Sequence, residues 1–132
     1  MHLLSIPDPR AACRLLAGVK SAKTDAANRV DLPALVARGA TYQIRGDDGK
    51  PLAVYLLEAH NGALWITAAV GRASDCLVTL IDAAAASQAR ACGLSCLAFR
   101  TERRGLVRKA QRIGYRVTRQ NGNEYFMRKT IK

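Results

Sequence analysis

The clearest pattern in the chain is an apolar stripe at helical spacing between residues 75 and 92. Apolar residues recur three and four positions apart, at Leu77, Leu80, Ile81, Ala84 and Ala85. This spacing is typical of a helix with one side facing a core. The segment has no proline and no internal glycine, and Gly93 follows it, which favours helix termination. The sequence therefore predicts a long helix over residues 75–92.

Three shorter helices are predicted from the same periodicity, over residues 9–19, 31–39 and 103–113. The second of them begins at Asp31, a favourable N-cap residue, and ends at Gly39. The third ends at Gly114, which is again a favourable residue after a helix.

Runs of β-branched, aromatic and aliphatic residues predict six strands. They span residues 41–45, 51–59, 63–70, 94–99, 115–119 and 124–131. Asp48-Gly49, Asn61-Gly62 and Asn121-Gly122 each separate two such runs, and these dipeptides favour tight hairpin turns. The predicted order is therefore α-α-β-β-β-α-β-α-β-β. Its length of 132 residues predicts a single domain over residues 1–132.

The charge of the chain is concentrated at its C-terminal end. The formal net charge is +11, of which residues 1–99 carry +2 and residues 100–132 carry +9. In the third short helix, Arg104, Arg108 and Arg112 are spaced four residues apart and share one face. Further basic residues flank them, at Arg103, Lys109, Arg116 and Arg119. This pattern predicts a basic helix-plus-hairpin surface for a nucleic acid or an acidic protein, with a merely solvated face as the alternative.

Two segments of the second half resemble motifs of the GCN5-related N-acetyltransferase (GNAT) superfamily. Ala89-Arg90-Ala91-Cys92-Gly93 resembles its A-R-x-x-G helix end, and residues 109–116 resemble its Y-x-K-x-G-F segment. The resemblance covers about residues 10–131. It implies an α+β, three-layer fold with a central mixed, mostly antiparallel sheet and helices on both faces. The first strand of that fold is either missing or supplied by residues 1–6.

The resemblance also implies a site for acetyl-CoA. The corresponding strand residues are Thr67, Ala68, Ala69 and Val70, and the corresponding loop residues are Arg72, Ala73 and Ser74. In this family a glycine-rich turn and a helix N-terminus bind the pyrophosphate, because unpaired amides and the helix dipole attract an anion. Here Asp75 replaces the glycine at the closest approach. Ser74 or Asp75 is also explained as an ordinary helix N-cap.

The residues for proton transfer depart from the family pattern as well. Ala110 stands where many members have a tyrosine that protonates the leaving thiolate. Glu58 is the acidic candidate for a general base, with a surface charge on an edge strand as its alternative. Tyr115 is a hydroxyl candidate whose alternative is core packing.

Because the glycine and the tyrosine are both missing, the sequence favours a non-catalytic acetyltransferase-like module that uses no cofactor. Such a module would act as a binding or assembly protein, and small diverged proteins of this kind are familiar from tailed phages as virion or internal proteins. The alternative is a small N-acetyltransferase that transfers an acetyl group from acetyl-CoA to an amine. Self-association is left open in both cases.

Four cysteines, Cys13, Cys76, Cys92 and Cys96, form no C-x-x-C pair and have no histidine nearby. They are interpreted as buried, reduced thiols rather than metal ligands. No signal peptide and no membrane-spanning stretch are recognised, so the chain is expected in the cytoplasm or, for a phage protein, packaged in a virion.

Overall fold

The computed structural model describes residues 2–17, 32–71 and 77–131. In chain order the described elements are β1 (His2–Ser5), α1 (Pro9–Ala17), α2 (Leu32–Arg38), β2 (Ala40–Arg45), β3 (Pro51–His60), β4 (Ala63–Gly71), α3 (Leu77–Ala91), β5 (Cys96–Thr101), α4 (Arg104–Arg112), β6 (Arg116–Asn121) and β7 (Glu124–Thr130).

The strands form one sheet in the order β1-β2-β3-β4-β5-β7-β6. Every neighbouring pair is antiparallel except β4 and β5, which are parallel because the chain crosses over through α3 between them. β7 inserts between β5 and β6 and pairs antiparallel with both. The expected mixed and mostly antiparallel sheet is therefore confirmed.

Alternate residues of β3 enter two cores on opposite faces of the sheet. Val54 and Leu56 pack with α1 and α2, and this cluster is called the α1–α2 core. Tyr55 and Leu57 pack with α3 and α4, and this cluster is called the α3–α4 core. The period of two follows from the pleat of a strand. The sheet is thus covered by helices on both faces, as the three-layer prediction requires.

The three predicted hairpins are confirmed by the pairing of β2 with β3, β3 with β4 and β6 with β7. In the second, Asn61 and Gly62 have φ angles of 49° and 75°. Two consecutive positive φ angles are what a type I′ turn requires, and asparagine followed by glycine adopts them at the lowest cost.

The amino-terminal strand is the main addition to the predicted order. β1 pairs antiparallel with β2, so residues near the start of the chain supply the first strand that the predicted order lacked. Its side chains are all exposed. For that reason no alternation of buried and exposed positions marked it in the sequence.

β5 and β6 begin later than predicted and extend two residues further, to Thr101 and Asn121, and in both cases the preceding helix is closed by local hydrogen bonds. The Leu94 N–H donates to the Ala89 carbonyl at 2.8 Å, and β5 begins only at Cys96. The Tyr115 N–H donates to the Ala110 carbonyl at 3.1 Å, and β6 begins after it. These residues complete helix ends instead of starting strands.

The remaining helix predictions agree with the described elements within one or two residues. Predicted residues 18, 19, 31, 75 and 76 lie outside the described residues. No helix in the described ranges is long and apolar enough to cross a membrane.

The cysteines differ from the prediction of buried thiols. Cys13 and Cys96 are half-buried and Cys92 is exposed, and all three are free thiols. Cys76 lies outside the described residues. In the described ranges no group of three or more histidine, cysteine, aspartate or glutamate side chains is arranged to hold a metal ion.

Candidate functional site

The sheet opens between its two parallel strands. The ladder between β4 and β5 consists of two pairs, Leu64 with Leu97 and Trp65 with Ala98. β4 nevertheless continues to Gly71, and it stays paired with β3 over that length. β5 likewise stays paired with β7 as far as Thr101. The second half of β4 therefore borders an opening in the middle of the sheet.

A β-bulge lies at the start of this opening. Leu57 pairs with Ile66 and Leu56 pairs with Ala68, so Thr67 is an extra residue on β4. The Thr67 hydroxyl donates to the Leu56 carbonyl at 3.5 Å. Such a bulge leaves one residue out of the ladder and bends the strand, which re-aims the backbone groups beside it.

The bulge also reverses which side of β4 faces each core. Before it, Leu64 and Ile66 belong to the α3–α4 core, whereas Ala68 and Val70 after it belong to the α1–α2 core. Two of the four candidate cofactor residues on this strand are alanines, and their small side chains leave space beside the open part of the strand. An extended ligand with amide groups can add to a strand edge of this kind as a further strand does.

The predicted loop contacts, Arg72, Ala73 and Ser74, lie outside the described residues, as does Asp75. Their role as phosphate ligands, and the N-cap role of Ser74 or Asp75, stay predictions. Helix α3 is described from Leu77, and β4 ends at Gly71. Five residues of the sequence, 72–76, separate these two described elements, and the dipole of a helix attracts anions to its N-terminal end.

Glu58 lies one strand away from the point where the ladder opens. It pairs across β3 and β4 with Trp65, which is the last β4 residue paired with β5. The Glu58 carboxylate lies 3.7 Å from the Arg38 Nε of α2, and its side chain is 27% exposed. Glu58 is therefore on a central strand rather than an edge strand, and solvent still reaches its carboxylate.

Tyr115 is built into the α3–α4 core. It is 3% exposed, and its ring meets Phe99 edge-on at 5.1 Å between centroids. Its hydroxyl donates to Asp82 at 2.9 Å, and the Lys129 ammonium donates to the other oxygen of Asp82 at 2.9 Å. Burial, and after it the negative charge of Asp82, raises the pKa of Tyr115. This environment matches the core-packing alternative.

The basic residues fall on two sides of the sheet. Val107 and Ala110 of α4 are buried in the α3–α4 core, and the exposed side of this helix carries Arg104, Arg108, Lys109 and Arg112, preceded by Arg103. In β6, Arg116 pairs with Arg128 and Arg119 pairs with Phe126, on the face opposite to α4. The predicted continuous helix-plus-hairpin surface is therefore divided by the sheet.

Sequence reasoning missed two features here. The bulge at Thr67 has no local signature, because it is defined by the pairing with β3. Arg100 and Arg128 lie on the same face of the sheet as Arg116 and Arg119. Each is adjacent in sequence to a buried residue, Phe99 or Met127, and this alternation could have predicted the face on which they lie.

Neither a protein-family model nor a curated protein sequence matches the chain. Solved structures do match it over nearly its whole length. An acetyltransferase from Bacillus subtilis in complex with CoA has a TM-score of 0.73 and 12% identity, with 99% of each chain covered. An IAA acetyltransferase from Bacillus cereus has a TM-score of 0.69 and 16% identity, covering 98% of this chain and 99% of that chain. A GNAT family acetyltransferase from Elizabethkingia anophelis with acetyl-CoA bound has a TM-score of 0.67 and 12% identity, covering 98% of this chain and 97% of that chain.

These similarities define the class of fold. The chain has the α+β, three-layer GNAT fold, with a mixed seven-stranded sheet in the described part of the chain. At such low identity the likeness concerns the fold, and activity has to be argued from the site itself.

Proposed function

We propose that the protein is an N-acetyltransferase that uses acetyl-CoA. The observation that carries this proposal is the opening between β4 and β5, which begins at the bulge of Thr67. Two of the similar structures reported above contain CoA or acetyl-CoA, which supports acetyl-CoA as the ligand. We thus favour the small N-acetyltransferase, which the sequence offered as the alternative, over the non-catalytic module. None of the three similar structures is a phage assembly protein.

The backbone of β4 from Thr67 to Val70 would hold the pantetheine arm of the cofactor. The arm is an extended chain with two amide groups, and such groups pair with a strand edge. The small side chains of Ala68 and Ala69 would let it approach the strand closely. Arg72, Ala73 and Ser74 are the proposed contacts of the pyrophosphate, beside the N-terminal end of α3.

When bound, the cofactor supplies an activated acetyl thioester. Glu58 is the proposed general base, which would accept the proton that an acceptor amine loses on acetylation. The ion pair with Arg38 would hold the carboxylate in position on the α1–α2 face of the sheet. Ala110 offers no hydroxyl, so the proton for the thiolate would come from another group or from water.

Isothermal titration calorimetry with acetyl-CoA tests this proposal. We expect saturable binding in the micromolar range, which is common for enzyme substrates. A parallel titration with acetyl-pantetheine, which has no phosphates, isolates the part of the site formed by β4, and we expect weaker but measurable binding. Absence of acetyl-CoA binding at millimolar concentration would overturn the proposal.

Glu58→Gln tests the proposed base separately. This variant keeps the shape of the side chain and removes its charge, so acetyl-CoA affinity should stay unchanged. The rate of acetyl transfer to a polyamine should fall by about 100-fold or more, which is the usual contribution of general base catalysis. An unchanged rate over the pH range 6–9 would exclude Glu58 as the base.

A further inference from the structure

The C-terminal half of the sheet has one face that no described helix covers. The α1–α2 core contains residues of β3 and β4 but none of β5, β6 or β7. On this face two rows of side chains cross the three strands. One row is Arg100, Phe126 and Arg119, and the other is Ala98, Arg128 and Arg116. The four arginines and Phe126 are called the arginine face.

The side chains of the arginine face are accessible. Arg100, Arg116 and Arg119 are exposed, and Phe126 and Arg128 are half-buried. The residues between them point to the other side, where Phe99 and Met127 are buried in the α3–α4 core. The accessible surface is therefore a true sheet face backed by a packed core.

A bulge in β6 brings two of the arginines to the same face. Arg116 and Arg119 are three residues apart and would point to opposite sides of a regular strand. The register shift between Val117 and Arg119 removes this difference. Adjacent strands lie about 4.8 Å apart and the two rows about 7 Å apart, so four guanidinium groups surround one small area.

The four arginines of this face outnumber the acidic residues of its three strands. In the described part of the chain none of the four arginines forms a salt bridge with a carboxylate. The acidic residue of these three strands is Glu124, at the hairpin end of β7. Like charges held this close repel one another, and a bound anion relieves the repulsion.

Phe126 adds a feature that a purely electrostatic surface lacks. The Arg119 guanidinium lies over the Phe126 ring, 5.2 Å from its centroid. Guanidinium groups recognise phosphates with two parallel hydrogen bonds, and a base can stack on an accessible aromatic ring or on a guanidinium plane that lies over it. A sheet that presents both side by side fits a nucleic-acid strand better than an acidic peptide, which has no bases to stack.

We propose that the arginine face binds single-stranded nucleic acid, with its phosphates on the arginines and a base against Phe126. This surface does not depend on the proposed acetyl transfer. It also replaces the basic side of α4 as the nucleic-acid contact, because α4 lies on the other side of the sheet and presents no aromatic ring with its arginines.

Fluorescence anisotropy with a labelled oligo(U) of about 12 nucleotides tests the proposal, since single-strand sites cover up to about 16 nucleotides. One variant changes Arg100, Arg116, Arg119 and Arg128 to glutamine. The matched control changes Arg103, Arg104, Arg108 and Arg112 to glutamine, which removes the same charge from the α4 side. We expect the first variant to lose at least about tenfold in affinity and the control to keep it. Equal losses in both variants, or a loss in the control alone, would overturn the proposal.

Salt dependence provides a second measure. Four phosphates on a single strand predict a slope of about −3 for log K against log salt, or about a 50-fold loss between 50 and 200 mM. The variant of the arginine face should lose most of this slope, and the α4 control should retain it. An unchanged slope in the first variant would contradict the proposal.

Phe126→Leu separates nucleic acid from an acidic protein partner without changing the charge. We expect oligo(U) binding to fall by at least about fivefold, because base stacking is lost. Binding of polyglutamate should not respond to this substitution. Oligo(U) binding that is insensitive to Phe126→Leu, combined with equal affinity for polyglutamate, would overturn the proposal in favour of an acidic partner. This variant and single Arg119→Gln remain informative if the fourfold variant does not fold.

Cys96 is a chemical reporter for the same face in the unmodified protein. A hydrogen bond from Arg128 lowers the pKa of its thiol, which favours alkylation. Oligo(U) should slow alkylation of Cys96 by iodoacetamide, while Cys92, exposed at the end of α3, should react at an unchanged rate. Equal slowing of both thiols, or of neither, would place the nucleic acid elsewhere or exclude binding.

Discussion

The side chain of Asp82 links α3 to β7 and to the residue that precedes β6. From α3 it accepts hydrogen bonds from Tyr115, just before β6, and from Lys129 on β7. The Lys129 ammonium also lies 5.6 Å from the centroid of the Tyr115 ring. The cluster joins the long helix to the C-terminal hairpin, and we assign it a structural role.

Tyr115→Phe tests this role. It removes one hydrogen bond to a charged group and keeps the ring, so the free energy of unfolding should fall by about 1–3 kcal/mol. Asp82→Ala should cost more, because it also leaves Lys129 half-buried without its partner. Urea unfolding measures both effects. Loss of acetyl transfer in Tyr115→Phe at unchanged stability would instead assign Tyr115 to catalysis.

The same tyrosine predicts a pH dependence of stability. The pKa of Tyr115 is raised in the folded state, so above about pH 10 the unfolded chain loses this proton first. The contribution of Tyr115 to the free energy of unfolding should therefore be constant below about pH 10. Above that pH it should fall by up to about 1.4 kcal/mol per pH unit. Comparison of urea unfolding at pH 9 and 11 should show a smaller decline for Tyr115→Phe. An equal decline would mean that other groups cause it.

Substitution of glycine by alanine should have opposite effects on stability at Gly39 and at Gly105. A Cβ on Gly39, between α2 and β2, would lie 2.6 Å from the Leu57 carbonyl oxygen. Gly39→Ala should therefore destabilise the protein by about 1–3 kcal/mol. Gly105→Ala in α4 meets open space and should stabilise it by a few tenths up to about 1 kcal/mol. Thermal unfolding compares them, and equal shifts of Tm in one direction would contradict this packing.

At the scale of elements, the bulge on β4 can be removed while the neighbouring residues keep the sides of the sheet to which their side chains point. Deletion of Thr67 leaves Ile66 opposite Leu57 and Ala68 opposite Leu56, which is a regular ladder. We expect this variant to fold and to lose acetyl-CoA binding, because the re-aimed backbone groups return to the ladder. Thr67→Val, which keeps the bulge, is the matched control. Circular dichroism checks folding and calorimetry checks binding; unchanged affinity after the deletion would exclude the bulge from the site.

Elements with local signals were predictable from the sequence. Asn61-Gly62 defines its turn by its own backbone preferences, and Gly93 ends α3 in the same way. The bulge at Thr67 could not be predicted, since it depends on the register of a different strand. The sequence left β1 open, as a strand either missing or supplied by residues 1–6, because its exposed residues show no alternation.

At the scale of the whole molecule, the order of elements was sufficient to predict the fold, but the distribution of charge over its surfaces was not. The basic end of the chain was expected to form one surface. A sheet separates it into the α4 side and the arginine face, and assignment of Arg116 and Arg119 to one face requires the bulge in β6. Of the candidate cofactor residues, Thr67 to Val70 border the opening, and their contact with acetyl-CoA stays a prediction.

The proposed function requires acetyl-CoA to bind along the open half of β4. Hydrogen–deuterium exchange measured by mass spectrometry, with and without acetyl-CoA, tests it most directly. We expect slower exchange in peptides that cover Thr67 to Val70 and unchanged exchange in β1 and β6. Binding that leaves exchange in β4 unchanged, or protects only other elements, would contradict it.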